Sequence, residues 1–170
     1  SVSFKTEKGP IRLISDLSFD IKEAEVFGLV GESGCGKSLT ALSILGILPN
    51  NAFAKGEIIF NNKNLFALNE NDMWQIRGKD ISMIFQEPMT SLNPVLTIGY
   101  QIAETLITHL DMSKKEAMNK TVELLKAVKI PSPELRIRDY PHQMSGGMRQ
   151  RIMIAMAIAC NPSLLIADEP

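Results

Sequence analysis

The chain has 170 residues, close to one domain at roughly 150 residues per domain, which excludes a machine of many domains and leaves room for one domain with a small insertion. Hydrophobic residues make up 45% and charged residues 22%, a globular composition that excludes a disordered chain. Lys and Arg number 18 against 19 Asp and Glu, a net charge of −1, without the basic excess that a phosphate backbone demands, so nucleic acid is disfavoured as a partner.

The residues start Ser1-Val2-Ser3-Phe4-Lys5-Thr6-Glu7-Lys8, with no basic region leading into an apolar run, so no secretory signal is expected within them; a start upstream of Ser1 could carry one. Leu17, Phe19 and Ile21 alternate with Ser18, Asp20 and Lys22, the period of a strand with one wet face, so the N-terminal part reads as antiparallel β. The apolar run 26–30 predicts a strand, and residues 37–48 predict a helix that Pro49 stops. Further strands are predicted at 56–60, before the Asn61-Asn62 turn, and at 81–85 and 164–167, the last two fully buried. Ser113-Lys114-Lys115-Glu116 is a capping box, and Ala117, Thr121, Leu124, Leu125 and Val128 follow at helical spacing until Pro131 and Pro133. The longest apolar stretch, 152–160, falls well short of the roughly 20 residues that cross a bilayer as a helix. Cys35 and Cys160 stand far apart without CxxC spacing, which argues against a disulfide framework or zinc site and fits a reducing, cytosolic compartment. Strands alternating with helices predict a mainly parallel α/β sheet, divided as 1–86 for the N-terminal β part and core, 87–160 for a helical insertion, and 161–170 for a last core strand.

Three motifs carry chemistry. Gly31-Glu32-Ser33-Gly34-Cys35-Gly36-Lys37-Ser38 fits G-x-x-x-x-G-K-[ST], whose glycines let successive backbone N–H groups point into one concavity that holds phosphate oxygens. The helix that follows adds its positive N-terminus. Lys37 is expected to reach the β- and γ-phosphates of a nucleotide and the Ser38 hydroxyl to ligate Mg²⁺; the nucleotide-binding set runs on to Leu39. Next, Leu164-Leu165-Ile166-Ala167 ends in Asp168 and Glu169. An acidic side chain at the carboxyl end of a parallel strand faces the crevice where α/β folds bind ligands, so Asp168 can hold Mg²⁺ and Glu169 can orient or deprotonate the attacking water. Last, Met144-Ser145-Gly146-Gly147-Met148 opens a helix whose later part is apolar on all sides. Ser145 is a good N-cap and the two glycines leave backbone donors open to an anion, a second phosphate site that a head-to-tail pair of chains would explain.

Together these residues resemble the ATP-binding-cassette (ABC) family, whose signature Leu-Ser-Gly-Gly-Gln appears here as Met144-Ser145-Gly146-Gly147-Met148. The family's Q-loop is matched by Ile84-Phe85-Gln86-Glu87-Pro88. Met89-Thr90-Ser91-Leu92-Asn93-Pro94, with Tyr140-Pro141-His142-Gln143, resembles the peptide and nickel importer branch, where Met at the signature's last position is common. The resemblance implies a P-loop ATPase fold, ATP and Mg²⁺ as ligands, and two cassettes that sandwich two ATP molecules between the phosphate loop of one subunit and the signature of the other. It further implies transmembrane permease subunits as partners, an extracytoplasmic solute-binding protein indirectly, and a peripheral place on the cytoplasmic side of the membrane. Carried over by position, Gln86 contacts Mg²⁺ or the attacking water and couples it to the permease, Ser145 and Gly147 meet the partner's γ-phosphate with Gly146 in the same nucleotide-binding set, and Phe4 is the candidate base-stacking aromatic, with Gly9 and Pro10 expected to lengthen the loop after it. The family pattern continues past an acidic pair with a loop carrying an Asp and a strand ending in a His, so the chain resembles a C-terminally truncated cassette with little turnover of its own; His109 and His142 read as ordinary helix or loop histidines. A non-transport ABC ATPase of DNA repair or the ribosome is the alternative, but the long heptad arms that mark it are absent between Lys37 and Ser145. Intact Lys37, Asp168 and Glu169 argue against a regulatory module without turnover.

Overall fold

In the computed structural model, which describes residues 1–86 and 91–169, Val2–Thr6 forms β1 and a two-residue turn at Glu7 and Lys8 sends the chain back as β2 (Gly9–Ile14). Glu87 and Pro88 of the Q-loop motif, with Met89 and Thr90 of the importer motif, lie outside the described residues. The chain divides into two units, Ser1–Met73 and Trp74–Pro170.

In the first unit β1 is flanked on both sides, by β2 and by β3 (Ala52–Ala54), in an antiparallel sheet of order β2-β1-β3. Gly9 takes a φ of 107°, which an L side chain rarely adopts, and so closes the hairpin tightly. The long loop expected at Gly9 and Pro10 is therefore replaced by a strand, and Pro10 is tolerated there because β2 is an edge strand. The antiparallel character expected of this region holds, but through these strands and not through Leu17, Phe19 and Ile21, which are exposed and outside any strand. The run 26–30 likewise forms no strand: Val26 is wholly exposed and Val30 is 93% exposed. Apolar alternation gives a segment the capacity for a ladder, and a ladder also needs a neighbouring strand, which neither segment has among the described residues.

Helix α1 (Lys37–Leu45) ends three residues before the predicted 48 because Gly46 adopts the left-handed conformation and Ile47 donates back to the Leu42 carbonyl, a glycine stop that acts before Pro49 is reached. The Asn61-Asn62 turn is real: both residues have positive φ, 47° and 61°, and they join β4 (Ile59–Phe60) to β5 (Lys63–Asn64) as a two-residue hairpin whose twist suits that geometry. Asn69 then accepts from the Asp72 N–H at the start of α2 (Glu70–Ile76).

In the second unit β6 (Ile81–Ile84) and β7 (Leu164–Ala167) pair in parallel, Ile81 with Leu164 through Ile84 with Ala167. β6 is buried throughout as expected; β7 alternates between half-buried and exposed, with Leu165 41% exposed, because packing covers only one of its faces. Between them run α3 (Ile98–Leu110), α4 (Lys114–Ala127), the short α5 (Pro133–Arg136) and α6 (Gly146–Ile158). Ser113 and Glu116 form the reciprocal capping box at the start of α4, and that helix ends at Ala127, ahead of the prolines; Pro133 instead opens α5. Ile98, Ile102, Leu106, Leu125 and Ile152 are fully buried where α3, α4 and α6 meet, each contributing about 1.5–3 kcal/mol by removal from water. Ile84 packs with Met153 and Ala157, fastening β6 to α6. No helix among the described residues is long and apolar enough to cross a membrane.

Candidate functional site

The phosphate-loop segment, in the first unit, is built from backbone conformations that its glycines permit. Gly34 and Gly36 have φ of 80° and 103°, and Gly36 stands at the N-cap of α1 with no side chain capping the helix. Backbone N–H groups at that helix start are thus left for an incoming anion. A Cβ on Gly36 would lie 2.8 Å from Cγ1 of Ile14, and one on Gly31 would lie 2.5 Å from the Cys35 sulfur, so the loop is tied to β2 and to itself by glycine. Gly36→Ala is therefore expected to cost about 1–3 kcal/mol through backbone strain and overpacking. Denaturant unfolding measures this, and an unchanged midpoint would show that Ile14 yields freely.

The Lys37 ammonium donates to the carbonyls of Gly31 (2.9 Å) and Glu32 (3.1 Å), so the loop wraps its own cation. Glu32 also accepts from the Cys35 N–H, Thr40 and Ser43 bond back to the carbonyls of Gly36 and Leu39, and Ser38 is exposed in the first turn of the helix. Ser33 and Cys35 are exposed, and Leu39 is half-buried on α1. Phe4 lies half-buried in β1.

In the second unit the β6–β7 register brings two candidates together. Asp168 donates its N–H to the Ile84 carbonyl (3.0 Å), extending the ladder by one step, so Gln86 and Glu169 emerge at the same carboxyl end of a parallel pair. There the Gln86 amide donates to a Glu169 carboxylate oxygen at 2.8 Å. Glu169 has a φ of 47°, a left-handed conformation for a non-glycine residue and a small strain held at the strand end. The Asp168 carboxylate is half-buried beside it in sequence.

The signature segment caps α6. Ser145 Oγ accepts from the Met148 N–H (3.3 Å), and Gly146 and Gly147 are exposed, with open space where a Cβ would point. Among the described residues nothing lies close enough to ask for glycine at either position, and in a helix each costs roughly 0.5–1 kcal/mol relative to Ala. Sequence reasoning gives Arg151 no task. Its guanidinium donates to the carbonyls of Gly147 and Lys129, which ties the start of α6 to the end of α4, and the (i, i+4) spacing to a glycine is the signal that could have found it. His109 lies in the last turn of α3 near Trp74, its pKa lowered by burial and by Lys79; His142 stacks on Tyr140.

The chain is similar to several known proteins. The chain is 53% identical, over 99% of its length, to the dipeptide transport ATP-binding protein DppD of Bacillus subtilis and covers 51% of that protein. To the oligopeptide transport ATP-binding protein OppD of Escherichia coli it is 48% identical over 99% of its length, covering 50% of the relative. The chain thus spans about half the length of the curated relatives it matches. Among solved structures, the dimeric post-hydrolysis state of the ATP-binding cassette MJ0796 bound to ADP and Pi superposes with a TM-score of 0.83 at 29% identity, over 99% of this chain and 73% of that one. The ABC transporter family pattern matches residues 14–170, and the chain belongs to that family.

Proposed function

We propose that the protein carrying this chain binds and hydrolyses ATP as a subunit of an importer for oligopeptides or dipeptides, working with a second ATPase subunit and transmembrane permease subunits at the cytoplasmic face of a membrane. An extracytoplasmic solute-binding protein takes part indirectly. The observation that carries this reading is the loop at 31–38: left-handed glycines, an uncapped helix start and a lysine curled over the loop make an anion cradle with a cation at its rim. Identity of about half to dipeptide and oligopeptide transport ATP-binding proteins supports the solute class.

In this reading Gly31, Glu32, Ser33, Gly34, Cys35, Gly36, Lys37, Ser38 and Leu39 hold the nucleotide, with Phe4 as the aromatic for the base. The Ser38 hydroxyl, the Asp168 carboxylate and the Gln86 amide are hard oxygen donors of the kind Mg²⁺ prefers, and the ion when bound neutralises phosphate charge. Glu169 takes the proton of the attacking water, and Gln86, hydrogen-bonded to it, holds that carboxylate in place. The unencumbered glycines at 146 and 147 suit close approach by a phosphate presented by a partner subunit.

Cysteine labelling tests the cradle. Cys35 is exposed within the loop, whereas Cys160 is buried and burial pushes its thiol pKa up, so it serves as a slow internal reference. A maleimide is expected to modify Cys35 first, and saturating Mg-ATP to slow that reaction at least about tenfold by covering the loop. Equal labelling rates with and without Mg-ATP would remove the nucleotide from this loop.

A further inference from the structure

The first turn of α6 holds itself weakly. Gly146 and Gly147 are exposed and have no side chains to pack, and the Ser145 cap accepts from the Met148 N–H at 3.3 Å. The turn that follows α4 is held firmly. Lys129 adopts a φ of 57°, its N–H donates to the Lys126 carbonyl and that of Ile130 to the Leu125 carbonyl (2.9 Å each), and Ile130 is buried in the helical core. Arg151 joins the two turns directly. Its Nε donates to the Gly147 carbonyl (3.2 Å) and its Nη1 to the Lys129 carbonyl (2.7 Å), while the next residue, Ile152, is fully buried in the same core. A guanidinium is planar and presents its donors at fixed angles, so it keeps the two carbonyls at one separation, and a cation beside the carbonyl end of α4 suits that helix's dipole. The turn that carries the exposed glycines is thus tied by this side chain to a part of the chain seated in the core.

We infer that Arg151 is a positioning residue for the ATP-dependent pairing of two chains: by holding the Gly147 carbonyl against the end of α4, it fixes the turn at 145–147 in the shape that meets a partner's phosphate. This rests on the proposed function, in which that turn faces the nucleotide of a second subunit. The test uses the protein that carries this chain with Glu169→Gln, so that bound ATP is not consumed. Analytical ultracentrifugation at saturating Mg-ATP reads the dissociation constant of the dimer, a fluorescent ATP analogue reads the nucleotide Kd on chains diluted below that constant, and denaturant reads the unfolding midpoint. Arg151→Met keeps the apolar stem and removes both donors. It is expected to raise the dimer constant at least about tenfold, the loss of a charge-assisted hydrogen bond, while the nucleotide Kd stays within about twofold, because the lesion lies in the turn offered to the partner's nucleotide and not in the loop that holds the chain's own. A smaller rise in the dimer constant overturns the inference even where the midpoint falls, since Arg151 then serves stability alone. A nucleotide Kd that rises by the same factor as the dimer constant marks general damage and overturns it too. Arg151→Lys, which keeps a cation beside α4 but replaces the planar group by a flexible stem, is expected to raise the dimer constant at least about threefold and decides by the same rules should Arg151→Met not fold. The Glu169→Gln protein is measured first. Absence of a dimer that needs ATP overturns the proposed pairing and this inference with it, whereas its presence with a dimer constant that Arg151→Met leaves in place overturns this inference alone.

Discussion

Lys37→Ala is expected to weaken Mg-ATP binding by at least about tenfold and to lower ATP turnover by about 10²–10³-fold, the usual cost of one preorganised electrostatic contact to a transferring phosphoryl group. Two losses combine. The ammonium no longer meets phosphate, and the carbonyls of Gly31 and Glu32 lose the donor they share, so the loop opens as well as discharging. Because this loop is exposed, water replaces the missing donor in the unliganded protein, and the unfolding midpoint should move little. Calorimetric titration with Mg-ATP, a phosphate-release assay and denaturant unfolding separate the three quantities. Wild-type affinity together with wild-type turnover would sink the assignment of the loop.

Glu169→Gln is expected to separate binding from chemistry. An amide oxygen at the same position can still accept from Gln86, so the 2.8 Å contact and the strand-end geometry survive, but no base remains for the attacking water. Turnover should fall about 10²–10⁴-fold with ATP affinity retained. Nucleotide then accumulates unhydrolysed, and size-exclusion chromatography of the protein that carries this chain should show a dimer that needs ATP. Glu169→Gly makes a useful comparison. It relieves the left-handed strain at a φ of 47° and so should stabilise the fold slightly, yet it too should lose turnover. Normal hydrolysis by Glu169→Gln, or a chain that stays monomeric at high ATP, would count against the role given to this carboxylate.

The caps and turns are readable because their signals are local. The capping box at Ser113 and Glu116, the N-cap at Ser145 and the Asn61-Asn62 turn all appear where the residues place them, since each depends on hydrogen bonds spanning four residues or fewer. The end of α1 departs from expectation for a local reason as well: Gly46 stops the helix before Pro49 can, and a glycine inside an apolar run does not announce whether it sits within a helix or ends one. The exposed runs 17–21 and 26–30 fail differently, because alternation states only that a segment can be a strand.

The candidate set follows the same division. The glycines, lysine and serine of the loop at 31–38, and the acidic pair after an apolar run, can be named from spacing alone, because their conformations are dictated by neighbours within the motif. The side-by-side emergence of Gln86 and Glu169 cannot, for it depends on a parallel register between strands far apart in the chain. The sequence by itself therefore determined which backbone can cradle a phosphate, where the caps and turns fall and which residues can do acid–base chemistry. Only the tertiary structure decided which apolar runs become strands, which face of β7 is covered, and that Gln101 clamps the backbone at Asn93 and Leu96. The physical reason is that a ladder, a covered face and a buried amide are each completed by groups whose distance along the chain carries no sequence signal.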